Sequence, residues 1–281
     1  MESWPVGLST GCFHHTPLVE CLPWIRRQGF SIIEVCSVAA HLDYHNPAQV
    51  WEAAGRIRDL GVAAYSFHSP FAEHIDVTAP EPRARERALA ELLRAAEAAA
   101  ILGVRYLVIH PGPEKGGFPE HERFWRMENA ARVLNELASR CRQLGLKLAL
   151  ENQLPHLFFG RCRDLLWVLG ALDSVEVGFC LDTGHAYLAG DLPTVVHKMS
   201  GHLWMLHASD NKGQRDDHLA PGEGNIAWHA LLDQLARTGF KGALMLEIAG
   251  EASPQATLDK AWRGATFLRE MARHVNSSPG A

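Results

Sequence analysis

The chain has 281 residues, 47% of them hydrophobic and 21% charged, with a formal net charge of −5. That length suits one large α/β domain, since closed α/β barrels commonly run to about 250 residues as a unit, and a core of that size needs no staple. The acidic balance weighs against nucleic acid as a partner, no apolar run is long enough to span a membrane, and the opening MESWPVGLSTG lacks the charged and apolar regions of a secretory signal.

Six cysteines, at 12, 21, 36, 141, 162 and 180, form no C-x-x-C pair. They read as reduced thiols of a cytoplasmic protein rather than a zinc knuckle or a redox motif. Sixteen histidines are many for this length and hint at metal or proton chemistry.

In chain order, eight short apolar runs read as strands, over residues 7–10, 32–35, 63–67, 106–110, 147–151, 177–181, 203–207 and 243–248. Their continuous apolar character fits a parallel sheet buried on both faces. Several follow a glycine that ends a helical stretch, at Gly29, Gly61, Gly103, Gly145 and Gly239, with Gly201 a looser case. The clearest helices span 83–102, 123–144 and 226–237. Nothing divides the chain, so residues 1–281 are expected to form a single (β/α)8 TIM barrel domain. The count of eight, and the polar residue at the end of strand after strand, favour the closed barrel over an open doubly wound sheet.

Those strand ends carry the chemistry. They are His68, His110, Glu151, Asp182 with His185, His207, then Asp216 and His218 in the following loop, and Glu247. Any one of them has a bland reading as a core hydrogen bond, a turn cap or a solvated loop residue. Together, on the one ring a barrel creates, imidazoles and carboxylates suit a divalent metal, Zn²⁺ first and Mn²⁺ second. A glutamate ending an apolar strand also needs a cation or a hydrogen-bonding partner. Glu34 ends the second strand, where it either orients a ligand histidine or makes a structural bond. Lys212 contacts a substrate anion or is a solvated loop lysine. Phe13, His14, Phe71, Phe118, Phe158 and Phe159 fall in loops at the same end, where aromatics wall a pocket or pack a contact between subunits of a homo-oligomer. Arg83, Arg85 and Arg87 read as a helix face.

At HPG (110–112), EN (151–152), DTGHAYLAGD (182–191) and DDHLAPGEGNIAW (216–228) the sequence resembles the xylose isomerase-like barrel superfamily, over nearly the whole chain. That group holds sugar and sugar-phosphate isomerases and epimerases and the zinc-dependent apurinic-site endonucleases. The epimerase branch implies one metal on Glu151, Asp182, His207 and Glu247, with Glu151 and Glu247 as acid and base and His185 on the substrate. The endonuclease branch implies three ions, on His68, His110 and Glu151, on Glu151, Asp182, His207 and Glu247, and on His185, Asp216 and His218. The loops CSVAAHLDYHN and NQLPHLFFGR do not resemble DNA-penetrating loops, and HLAPGEGNI resembles the sugar isomerase-like members. The expectation is therefore a metal-dependent sugar isomerase or epimerase with one to three ions and a small carbohydrate substrate. A phosphodiesterase of the endonuclease type is the alternative, and a non-catalytic sugar-binding barrel a third reading.

Overall fold

Each strand after the first starts where a helix has been stopped, and the stop is local chemistry. The helices are α1 (Leu18–Arg27), α2 (Pro47–Asp59), α3 (Pro82–Leu102), α4 (Arg123–Gln143), α5 (Cys162–Gly170), α6 (Thr183–Leu188), α7 (Leu192–Met199), α8 (Trp228–Arg237) and α9 (Pro254–Ser277). Gly103 ends α3 at φ 73°, its N–H bonding back to the carbonyls of Ala99 and Ala100. A side chain would resist that left-handed turn. Gly29, Gly61, Gly145 and Gly239 repeat the device. Gly201 does not, since it lies in a 3₁₀ turn, Ser200–His202, that continues α7 into the next strand.

The computed structural model describes residues 4–277. Its strands are β1 (Val6–Ser9), β2 (Ile32–Cys36), β3 (Ala63–His68), β4 (Tyr106–Ile109), β5 (Lys147–Glu151), β6 (Val177–Asp182), β7 (Leu203–Ala208) and β8 (Ala243–Leu246). They pair in chain order, all parallel, and β8 closes on β1. The molecule is a single-domain TIM barrel. Strand ends differ from the sequence reading by one or two residues, and no helix among the described residues is long and apolar enough to cross a membrane.

The larger core lies between barrel and helices, while a smaller one fills the barrel with Tyr106, Val108, Ala149, Cys180, Met205 and Met245. Two register shifts shape its floor. β3 skips Tyr65 between its pairings with Ile33 and Glu34, and β7 skips Trp204 between its pairings with Phe179 and Cys180. Each extra residue turns an aromatic inward. The Tyr65 and Tyr106 rings lie 5.2 Å apart, and those of Tyr106 and Trp204 5.7 Å. Arg105 sits over Tyr106 and Lys147 over Trp204. Gly178 faces Trp204, where an added Cβ would come within 2.5 Å of the ring. Above this floor the two-residue strand period carries the inward direction from Val108 to His110, Ala149 to Glu151, Cys180 to Asp182, Met205 to His207 and Met245 to Glu247.

Candidate metal centre

Asp182 and His207 are neighbours in register on β6 and β7. Glu151 ends β5, and Glu247 follows the last residue of β8 with its N–H on the Ala208 carbonyl. Ligand atoms of Glu151, Asp182, His207 and Glu247 all lie within 4.8 Å of one another. Two further groups meet the same limit, His68 with Glu151 and His207, and His185 with Asp216 and His218. His110 reaches Glu151 at 3.4 Å but belongs to none of these groups, so the expected set of His68, His110 and Glu151 is not the compact one. In the compact set His207 takes the place of His110.

The five imidazoles share one design. Each has one ring nitrogen held from outside and the other turned into the ring. His68 Nδ1 donates to the Ser69 carbonyl, His185 Nδ1 to the Asn152 carbonyl and His218 Nδ1 to the Glu247 carbonyl, at 2.8–3.0 Å. A carbonyl only accepts, so these bonds require the proton on Nδ1 and leave Nε2 facing Glu151 or Asp216. His110 gives Nδ1 to Glu114, which Gln153 also holds. His207 is turned the other way. Its Nε2 donates to Glu34 at 3.0 Å, and its Nδ1 faces Glu151 and Glu247 at 3.0 and 3.1 Å. Glu34 is fully buried and also accepts from the Ser9 and Ser66 hydroxyls, so of its two sequence readings it takes up the position that orients a histidine. Metal-ligating histidines have this arrangement.

The carboxylates are short of partners. Glu151 Oε2, Glu247 Oε2 and Asp216 Oδ1 are buried with no hydrogen bond, although imidazole nitrogens come close. Such oxygens are costly without a cation. Glu151, Asp182 and His207 are sealed from solvent, whereas the Glu247 side chain keeps 21% exposure toward the mouth. The donors therefore fit a divalent ion of the kind that takes mixed nitrogen and oxygen ligands.

Without an ion these groups polarise one another. Burial pushes the Asp182 carboxyl up to about 6. Burial acts the same way on Glu151 and Glu247, but the imidazoles around them, His207 and His110 for Glu151 and His207 and His218 for Glu247, together outweigh it and hold both well below the usual carboxylate range. Burial pulls the histidines down, yet the carboxylates prevail and raise His110 and His218 to about 10 and His185 to about 9. His207 is likewise raised.

Local structure explains the placement. Asp182 caps α6, accepting from the His185 N–H at 2.6 Å, and Asn152 clamps the Asp182 backbone through two bonds. His218 adopts φ 43°, uncommon for a non-glycine residue. The Ala249 N–H on its carbonyl holds it there. Glu114 and Asn152 are the supporting residues that reasoning from single positions missed, and the one signal for Glu114 was its place four residues after His110.

Other sequence candidates scatter. Phe71 borders the ring, 4.7 Å from His110 and 5.2 Å from His68, and is 48% exposed. Phe13, Phe158 and Phe159 are buried core, and Phe118 packs under Arg126 and against Phe158. His14 is exposed and bonds the Gly11 carbonyl, while Lys212 is exposed and makes no side-chain contact with the ring. Arg85 binds the carbonyls of Ala79 and Pro80 instead of lying idle on the helix face. The six cysteines are free thiols.

Residues 22–271 match the model of the xylose isomerase-like TIM barrel family. The chain belongs to that family. Its relatives include MJ1311 of Methanocaldococcus jannaschii, 28% identical over 86% of this chain and 82% of that one. A probable endonuclease 4 of Haloarcula marismortui is 28% identical over 65% of this chain and 72% of its own length. Among solved structures, a D-tagatose 3-epimerase-like protein superposes with TM-score 0.83 at 25% identity, covering 97% of this chain and 98% of that one. The IOLI protein, solved with a zinc atom, superposes with TM-score 0.80 at 18% identity over 98% of this chain and 100% of its own. Members of the superfamily are mostly enzymes, sugar epimerases and endonuclease 4 among them.

Proposed function

We propose that this xylose isomerase-like barrel is a metal-dependent epimerase or isomerase of a keto-sugar. The observation that carries the reading is the convergence of Glu151 and Glu247 on one imidazole, His207, with Asp182 beside them and one unpartnered oxygen on each glutamate. The likeness to the epimerase-like structure supports it, because that likeness runs over almost the full length of both chains.

Glu151, Asp182, His207 and Glu247 would hold the ion, Zn²⁺ or Mn²⁺. A divalent ion there supplies Lewis-acid polarisation of a carbonyl and its neighbouring hydroxyl. The residues supply the proton traffic. One glutamate takes the proton from the carbon beside the carbonyl, and the other returns one. Glu247 is the one open to the mouth, and Glu151 is closed in by His68, His110 and His207. His185, anchored by Asn152, and Lys212 are the proposed substrate contacts.

A second reading has an observation of its own. His185, Asp216 and His218 form a compact group that a one-metal epimerase does not require, and together with His68 it suits a multinuclear phosphodiesterase. Incubating the zinc-loaded protein with keto-sugars in D₂O separates the two. Chelator-sensitive deuterium uptake at the carbon beside the carbonyl is expected. Chelator-sensitive incision of an abasic oligonucleotide, with no exchange into any sugar, would replace the epimerase reading with the second.

A further inference from the structure

In α/β barrels the loops after the seventh and eighth strands, with a helix N-terminus, frequently bind a substrate phosphate. They do so by leaving backbone N–H groups free to face an anion. This chain has the parts, a glycine-rich PGEGN run at 221–225 after β7 and the start of α9 after β8. Four of the five N–H groups of residues 222–226, however, are already engaged.

Asp210, fully buried two residues after β7, is the engaging anion. Its Oδ1 accepts from the N–H groups of Asn211 and Ile226 at 2.9 and 3.1 Å. Its Oδ2 accepts from Gly222 N–H at 3.0 Å and the Trp228 indole at 2.8 Å. Gly224 packs so close that an added Cβ would lie 2.3 Å from Oδ1. The N–H groups of Glu223 and Asn225 bond the carbonyls of Ala220 and Asn211. At the start of α9, Ser253 takes the Ala256 N–H on its hydroxyl and the Thr257 N–H on its carbonyl. Three nearby cations are matched by acids of the same loops, Arg263 by Glu223, Lys260 by Glu251 and Arg215 by Asp217, while Lys212 is exposed and has no such acid among the described residues.

We infer that Asp210 fills the position a substrate phosphate takes in other barrels, and that the sugar entering this ring is not phosphorylated. The inference rests on the epimerase reading and narrows its substrate class. A phosphate ester brings close to two negative charges at neutral pH. It would meet donors mostly taken and the carboxylates of Glu223, Asp217 and Glu251.

The test uses matched pairs on the zinc-loaded protein, fructose with fructose 6-phosphate and ribulose with ribulose 5-phosphate. The free sugar of an accepted pair is expected to exceed its ester in kcat/KM by about tenfold or more, a difference of ~1.4 kcal/mol in transition-state binding. An ester as efficient as its sugar, or better, overturns the inference. If no pair is turned over, the epimerase reading fails, and a second measurement decides the inference alone. Inorganic phosphate is titrated into metal-free, ¹⁵N-labelled protein, where no ion can bind it. The amide signals of Gly222, Gly224 and Ile226 are expected to stay in place through millimolar phosphate. A saturable shift at those amides overturns the inference.

Discussion

At the floor of the barrel Tyr65, Tyr106 and Trp204 pack ring against ring, and Arg105 and Lys147 cover them with cationic heads. A few residues higher in the barrel, at the ends of β5, β6, β7 and β8, the side chains are Glu151, Asp182, His207 and Glu247, and buried carboxylate oxygens stand without hydrogen bonds. The floor gains from burial and ring contact and asks nothing of a ligand. The mouth concentrates carboxylate charge that charged imidazoles balance without metal and a bound cation would balance in their place. Stability and function are thus separated along one strand direction, and substitutions at the two ends should fail differently.

The largest effect is expected at the mouth. Glu151→Gln removes a proposed proton-transfer group with little change of shape and should cost roughly 10²–10⁴-fold in kcat. Its metal-free form should melt lower than the parent, since the change takes away the carboxylate that His68, His110 and His207 share. Sugar turnover at the parent rate would break the contrast between the ends.

Tyr106→Ala at the floor should do the reverse. Losing a buried aromatic costs about 3–5 kcal/mol, read by urea denaturation, while zinc content per folded chain stays at the parental level. A floor variant that lost zinc without losing stability would show that the ends are coupled.

Glu34 lies between the two and sharpens the comparison. Glu34→Ala frees His207 Nε2 and is expected to weaken zinc binding about 10–100-fold, with Glu34→Gln recovering part of it. Competition against a chromogenic chelator measures this, and ¹⁵N shifts of the His207 ring report whether its proton leaves Nε2. Unchanged affinity in a folded Glu34→Ala protein would reduce Glu34 to a structural bond.

The smallest effect is in protons. His110, His185 and His218 lie at about 10, 9 and 10 without metal, above the ordinary histidine value. Charged imidazoles must lose protons to bind an ion, so zinc uptake near neutral pH should release protons, measurable by calorimetry in buffers of different ionisation enthalpy. The sign for stability follows from the raised folded-state values. Their contribution is complete below about 6.5, the ordinary histidine value, and fades as pH rises through 9 to 10. The metal-free protein should therefore lose Tm over that alkaline range, and the zinc-loaded protein should not. A flat alkaline profile without metal would remove the imidazolium–carboxylate pairs from the account.

Much of this was legible in the residue order. Parallel strands were visible because apolar runs follow helix-stopping glycines such as Gly103, and that signal is local. The ligand candidates were visible because a barrel must bring its strand ends together, and His68, Glu151, Asp182, His207 and Glu247 do meet. The grouping was less legible. His110 and His207 both approach Glu151, and their order around the ring depends on strand tilt and side-chain reach. The loop aromatics were misjudged because a phenylalanine before a loop looks alike whether it turns into the core, as Phe158 does, or out to the mouth, as Phe71 does.

By itself the sequence determined eight βα units, their parallel sense and the polar set at their ends, since glycine stops, apolar runs and charged residues act within a few residues of themselves. Only the tertiary structure decided which nitrogen of each histidine faces inward, that Glu34 stands behind His207, that Asp210 occupies the glycine-rich loop, and that two register shifts turn Tyr65 and Trp204 into the floor. Each of those depends on groups far apart in the chain whose hydrogen bonds and packing exist only once the barrel has closed.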